Sequence, residues 1–475
     1  MAAGRGGEPQ PRGPQRDLQQ CAVRDLLRRP AGKLAVRRAE NQPHLRRAPR
    51  SPRRAPPHSV GGGALHLRAV RDRARPQLRV PGISAHGLGR GTQRTLSLLG
   101  RARVRVALVC DWFLPRQGGI ELHLRDLAVT LREAGLDARI VTTTRGDPVV
   151  EGIPVHRVHT PLMPGAGFAF WPGALGEIER VIREEEFNVV HAHASVVSPV
   201  AFAGALAARR AGLPSLLTFH SMLHRSSFFL GASEALFAWN QGGIVLSAVS
   251  SVVAEQVARW IPGASVGVLP NGLDTRFWRA RPNEPANGEI VFASAIRLSR
   301  KKRPLRLVRA FADAVRFVAG APAMRLVVAG SGPEAVPMRR LADELGVGAR
   351  VELAGQLSRR ALRDLYARSH AFVLPSERES FGIAALEART AGLPVIAMLA
   401  SGVRDFVRQG IDGLLARDDA ELTRHISRLA LDAPFREYVR HRNASVVPPY
   451  DWRDVRATHL ELYALAAARH TTARG

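Results

Sequence analysis

From Val104 onward, short apolar runs alternate with stretches of helical period, in two successive series. Val104–Cys110 is an apolar run of buried-strand length. The loop that follows carries Pro115 and the pair Gly118-Gly119. Ile120, Leu124, Leu127, Ala128 and Leu131 then mark one face of a helix running to Ala134. Gly135 stops that helix, and Arg139–Thr143 reads as the next strand. Strand, glycine turn, helix, strand is a βαβ unit, which demands a parallel sheet covered on both faces. The same alternation predicts strands at Val155–Val158, Val189–His193, Ser215–His220, Ile244–Ser250 and Val266–Leu269. Helices are predicted at Leu175–Glu185, Pro199–Ala211 and Val252–Trp260.

Residues 273–288 are polar and aperiodic, and read as a linker. A second series follows, with strands at Ile290–Ala295, Leu326–Ala329, Val351–Leu353, Ala371–Leu374 and Val395–Met398. Helices are expected at Pro304–Val318, Ala335–Leu345, Arg359–Ser369 and Ile383–Ala391. The expected fold class is α/β, with two doubly wound domains facing a cleft, at residues 104–273 and 289–445. Residues 446–475 would add a closing helix. Ligands of such sheets bind at the carboxyl ends of the strands, so a cleft between two of them is the expected site.

Composition separates the first fifth of the chain from the rest. The net charge is +28, and through Arg103 there are 23 basic and 5 acidic residues. This stretch is rich in Arg, Pro and Gly, shows no sustained apolar period, and reads as disordered. Three readings are open for it: an arm for nucleic acid or anionic lipid, part of a targeting peptide, or a leader translated from a start placed too far upstream. Nucleic acid is not favoured, because stacking aromatics are scarce and no recognition motif is present. The third reading fits a chain whose only lysines are Lys33, Lys301 and Lys302, a bias expected of GC-rich coding DNA. Two cysteines, Cys21 and Cys110, exclude a disulfide scaffold and a multi-cysteine zinc site, and make a reducing, cytoplasmic compartment the default.

Four features carry chemistry. Gly118-Gly119 precedes a helix, where backbone N–H groups attract an anion and glycines let a phosphate approach, although a structural turn accounts for it equally. Arg297-Leu-Ser-Arg-Lys-Lys302 follows the first strand of the second series. Its cations suit a diphosphate, or form a solvated basic loop. Gly330-Ser-Gly332 is a tight turn that would bring backbone against a flat base. The fourth is Glu379-Ser380-Phe381-Gly382-Ile383, followed by Glu387. It places one carboxylate in a loop, another a turn inside a helix, and N–H groups between them. Carboxylates accept sugar hydroxyls and the helix start suits phosphate, which is the chemistry of a nucleotide sugar.

Residues 104 to about 465 resemble the family 4 retaining glycosyltransferases, which have the GT-B fold of two Rossmann-like domains. The Glu379/Glu387 block carries the resemblance, with Arg297/Lys302 and the Gly118-Gly119 loop supporting it. Cys110–His123, His191-Ala-His193 and Thr218-Phe-His220 are similar to members that add N-acetylglucosamine to phosphatidylinositol, and to bacterial members acting on lipids or polysaccharides. The resemblance implies that Arg297 and Lys302 hold the diphosphate and that Glu387 binds the ribose. It implies that Glu379 binds the transferred sugar, beside the amides of Ser380, Phe381, Gly382 and Ile383. Gly118 and Gly119 would close over the diphosphate, His220 would contact the donor sugar, and Gly330 and Gly332 would line the base pocket. It further implies no metal and no cofactor beyond a UDP- or GDP-sugar donor, with a lipid or glycan acceptor.

Two departures stand out. Ile296 occupies a position that is usually glycine, and Ala400–Asp405 replaces the usual two glycines and a glutamate. His191 and His193 are taken to face opposite sides of their strand, which sets aside a metal role for the pair. Phe168–Trp171 and Met222–Leu230 combine aromatics with bases, a composition suited to peripheral contact with the inner membrane face, or equally to a core loop beside the acceptor cleft. A non-catalytic nucleotide-sugar binder and a nucleotide-sugar epimerase remain as alternatives.

Overall fold

Both series fold into parallel sheets. The computed structural model describes residues 104–116, 118–159, 171–195, 198–223, 243–279, 288–318 and 322–472. The basic tail and nearly all of the two aromatic segments named above lie outside the described residues. Among the described residues, no helix is long and apolar enough to cross a membrane.

The first half runs β1 (Arg105–Cys110), α1 (Gly119–Glu133), β2 (Asp137–Thr142), β3 (Val149–Val150), β4 (Ile153–Arg157), α2 (Trp171–Glu184) and β5 (Val189–Ala194). It continues with α3 (Pro199–Arg210), β6 (Ser215–Phe219), β7 (Val245–Ala248), α4 (Ser251–Trp260), β8 (Val266–Val268) and α5 (Thr275–Trp278). Its sheet has the order β3-β4-β2-β1-β5-β6-β7-β8, parallel except for the β3/β4 hairpin at one edge. The chain reverses direction of travel between β1 and β5. A crevice opens there, at the ends of the two strands.

The second half runs β9 (Ile290–Ala295), α6 (Pro304–Phe317), β10 (Met324–Ala329), α7 (Ala335–Glu344), β11 (Val351–Gly355), α8 (Arg359–Ala367) and β12 (Ala371–Leu374). Then come α9 (Ile383–Thr390), β13 (Val395–Met398), β14 (Gly413–Ala416), α10 (Asp419–Leu431), α11 (Ala433–Ser445) and α12 (Trp452–Thr472). Its six strands, ordered β11-β10-β9-β12-β13-β14, are all parallel, and the switch falls between β9 and β12. β1, β5 and β9 are buried along nearly their whole length because helices cover both faces.

The stretch read as a linker is partly folded. Asp274 caps α5 by accepting from Phe277 N at 2.9 Å, and Trp278 is fully buried, its ring 5.8 Å from Tyr366. Four residues are too few to display a helical period, so the pattern hid this helix. The chain returns to the first half through Tyr450–Trp452. Leu273 N donates to Tyr450 O at 2.8 Å and Trp452 N to Leu273 O at 3.2 Å. Leu460, Leu462, Tyr463 and Ala466 of α12 then pack into the same core as Val106, Leu108 and Leu124.

Candidate active site

The two switch points supply the site. At the end of β9 the basic loop divides its labour. Arg300 pairs with Glu334, and Arg303 is held by Glu377 at 2.8 Å and Asp419 at 2.6 Å. Arg303 is therefore a brace, while Arg297 is exposed. Lys302 Nζ donates to Glu379 Oε2 at 2.6 Å. That contact joins the loop after β9 to the loop after β12, bringing together two residues 77 apart in sequence.

Helix α9 presents its N-terminus beside this pair. Gly382, the residue before it, has φ +93°, and a Cβ there would lie 2.6 Å from Val403 Cγ2. Phe381 buries its ring against Phe406 and Tyr450, so only its backbone amide serves the site. Behind α9, Asp412 accepts from Arg389 at 3.0 Å and Arg408 at 2.6 Å, which fixes the helix. Burial alone would raise the Asp412 carboxyl, but these two guanidiniums hold it below the usual range.

Glu387 lies one turn further along and stays partly exposed. Burial pushes its carboxyl up to about 8, with Arg359 opposing and Asp126 adding to the rise. Asp126 belongs to α1 in the first half, and Arg359 of α8 reaches it at 3.5 Å. Two hydrogen bonds join the halves here, and Gly119 lies close to Ile383. Met222 N donates to Ser380 Oγ at 3.1 Å. A Cβ on Gly119 would lie 4.0 Å from Ile383 Cδ1. Ser251 N donates to Asp405 Oδ2 at 2.6 Å. Gly119, Ser380, Ile383, Lys302, Glu379 and Glu387 are therefore gathered at one seam.

Some predicted residues owe their identity to the fold. A Cβ on Gly330 would sit 1.9 Å from Ile296 O, and one on Gly332 2.3 Å from Leu298 O; both φ values are positive. Their chain neighbours explain these glycines before any base does. Gly118 leaves room for the Glu121 carboxylate, which would lie 2.4 Å from its Cβ. Ile296 packs into the second core, with 6% of its surface exposed. The departing segment around Gly402 braces the Glu379 loop, since Gly402 N donates to Glu379 O at 2.8 Å.

The expectation for His191 and His193 is overturned. Side chains alternate with a period of two, so residues i and i+2 share a face, and the rings lie 3.8 Å apart. His191 bonds Tyr463 Oη at 3.0 Å and Thr218 Oγ1 at 2.7 Å. His193 Nδ1 lies 2.9 Å from Nε2 of His220. Burial pushes His220 down to about 3, with His459 adding to the fall, and His193 well below its ordinary value. All are neutral at physiological pH. Sequence reading missed His193 as the partner of His220, although the His-Ala-His spacing signalled it. Among the described residues no group of three or more His, Cys, Asp or Glu is arranged to hold a metal ion. A surface groove of about 330 Å³ between Leu305 and Glu344 contains none of these residues.

The sequence model described as "Glycosyltransferase Family 4" matches residues 117–277, and that described as "Glycosyl transferases group 1" matches residues 275–446. The chain belongs to the family 4 glycosyltransferases. The phosphatidylinositol N-acetylglucosaminyltransferase gpi3 subunit of Schizosaccharomyces pombe is 25% identical over 367 residues, covering 73% of this chain and 78% of that protein. D-inositol 3-phosphate glycosyltransferase 1 of Catenulispora acidiphila is 29% identical over 355 residues, covering 67% and 84%. Among solved structures, this glycosyltransferase is similar to one from Rickettsia africae, with a TM-score of 0.62 at 15% identity, covering 76% of this chain and 98% of that one. It is also similar to Anabaena HepE in complex with UDP and glucose, at 0.59 and 19%, covering 75% and 98%. The fold is GT-B.

Proposed function

We propose that this glycosyltransferase moves a hexose or N-acetylhexosamine from UDP or GDP to a hydroxyl of a lipid or polysaccharide precursor, with retention and without a metal. The observation that carries this reading is the Lys302–Glu379 contact at the start of α9, with Gly119 of the other half against Ile383. Lys302 and Arg297 neutralise the diphosphate, a role a divalent ion takes elsewhere, while the free amides at the start of α9 add to the field. Glu387 takes the ribose hydroxyls, Glu379 those of the sugar, and His220 faces the sugar near the breaking bond. Gly330 and Gly332 shape the base pocket. The C1–O bond to the diphosphate breaks as the acceptor oxygen bonds C1 on the same face. The hydroxyl proton passes to the departing diphosphate. The relatives' names support an acceptor bearing inositol, and a peripheral position on the cytoplasmic leaflet would give access to such a lipid.

A thermal-shift screen of UDP, GDP and their sugars, with and without EDTA, tests this. One nucleotide class should raise Tm, unaffected by EDTA, because a ligand of the native state stabilises it. A folded protein that no donor shifts would sink the reading.

Glu387 supplies a pH test. A carboxyl raised on folding gives stability that is fully present below its ordinary value of 4.5 and is lost as pH rises through about 8. Glu387→Gln should therefore melt above the wild type at alkaline pH, by about 2 °C or more. The same variant should lose the donor-induced shift. In the wild type, donor binding to the carboxylate should strengthen as pH rises towards about 8 and level off beyond it.

A further inference from the structure

Behind His220 lies a second, buried polar site. A cavity of about 10 Å³ is lined by Asp111, Glu121, His193, Ser195 and Ser198 among others, at the carboxyl ends of β1 and β5. Asp111 is 3% exposed and His193 2%. Asp111 Oδ1 accepts from Val200 N at 3.1 Å, at the start of α3, and the Ser198 hydroxyl also favours the carboxylate, but Oδ2 has no protein donor at hydrogen-bond distance. Nor does Nε2 of His193 meet a protein partner. Leaving two such atoms dry forfeits their hydration without return. The volume suits one water, which needs two to four polar neighbours.

The charges decide where the protons sit. Of the two imidazoles in contact, one must donate and the other accept. The cavity is faced by two carboxylates, Asp111 and Glu121. Glu121 is paired with Arg116 at 3.4 Å, which leaves Asp111 as the uncompensated charge, and that charge favours an N–H at His193 Nε2 over a lone pair. His193 Nδ1 is then the acceptor, and His220 must donate from Nε2. The nitrogen left to His220 for the cleft, Nδ1, therefore carries a lone pair.

We infer that Asp111, one water and His193 form a positioning relay that holds His220 with its Nδ1 lone pair towards the transferred sugar. This rests on the reading of His220 given above. The anomeric carbon becomes electron-poor as its bond to the diphosphate breaks. A lone pair beside it stabilises that charge, whereas an N–H would oppose it. Asp111 and His193 touch no substrate and act only through His220.

Asp111→Asn tests the relay with little change of shape. The amide can keep the bond to Val200 N through its oxygen but presents an NH2 to the water. The water must then donate to His193 Nε2, and both imidazoles exchange tautomers. Nitrogen-15 NMR of the full chain labelled at histidine reads this directly, with His220→Gln assigning the signal. The wild type should show His220 protonated at Nε2 and the variant at Nδ1. With the preferred donor, kcat should fall about tenfold or more while KM stays within about twofold, as when the orienting carboxylate of a catalytic histidine becomes an amide. In a His220→Gln background, Asp111→Asn should cost nothing further. A wild-type His220 protonated at Nδ1 overturns the inference without any variant. A tautomer exchange with unchanged kcat, or additive losses, overturns the catalytic part. An inactive wild type with the expected tautomers would instead count against the transferase reading of the site.

Discussion

Lys302→Ala should lower kcat/KM by about 10²–10³, because it removes one fixed cation from the departing diphosphate. Stability should change by no more than about 1 kcal/mol. The Lys302–Glu379 pair is 29% and 17% exposed at its side chains, and such partly solvated pairs contribute little net. Lys302→Arg should recover part of the activity, since charge returns but the compact ammonium geometry does not. Steady-state kinetics beside a urea melt separates the two effects. Equal losses of stability and activity would mean that Lys302 is a strut between the loops after β9 and β12. A loss confined to kcat/KM supports its place at the diphosphate.

Gly330→Ala should behave in the opposite way. The added methyl would be 1.9 Å from Ile296 O, on a residue with φ +134°. Backbone strain and overlap together should cost about 3 kcal/mol or more. Neither β9 nor β10 can yield, because Ile296 N donates to Ala329 O at 3.0 Å and Leu298 N to Ser331 O at 2.9 Å. A denaturant midpoint measured without any ligand checks this. A stable Gly330→Ala variant that merely loses donor binding would show that the glycine answers to the base and not to the fold. The same reasoning applies to Gly332, whose Cβ would meet Leu298 O.

The seam between the halves also gives the Ala400–Asp405 departure a purpose. Asp405 accepts from Ser251 N and lies 2.5 Å from Ser251 Oγ, while Arg404 reaches Glu255 at 2.5 Å. Both contacts cross from the second half to α4. A turn in which the family usually has glycines and a glutamate here ties the donor-side loop to the opposite half.

Much of this was legible in the residues. The two series of strands and helices came from apolar runs and their periods, which report local burial and little else. The Glu379/Glu387 block and the Arg297/Lys302 spacing pointed to a nucleotide sugar because loops at strand ends and helix N-termini are local structures with fixed chemistry. The glycines at 330 and 332 were visible, but their reason was not. It lies in the carbonyls of Ile296 and Leu298, on a neighbouring strand end more than thirty residues away.

What only the tertiary structure decided is which charges and rings meet. Within one basic loop it turned Arg303 into a brace and set Lys302 on Glu379, because the pairing depends on which strand ends lie side by side in the sheet. It buried the Glu387 carboxyl of α9 and set Asp126 of α1 near it, although 261 positions separate the two, and so raised a carboxyl that no local pattern marks. It buried His193 against His220 and put two carboxylates behind them. Period and propensity act over a few residues, so the sequence by itself determined most of the elements and their order, and the local groups that suit a nucleotide sugar. Burial, partner and protonation are set by contacts between distant segments, and those exist only once both sheets have formed and closed on each other.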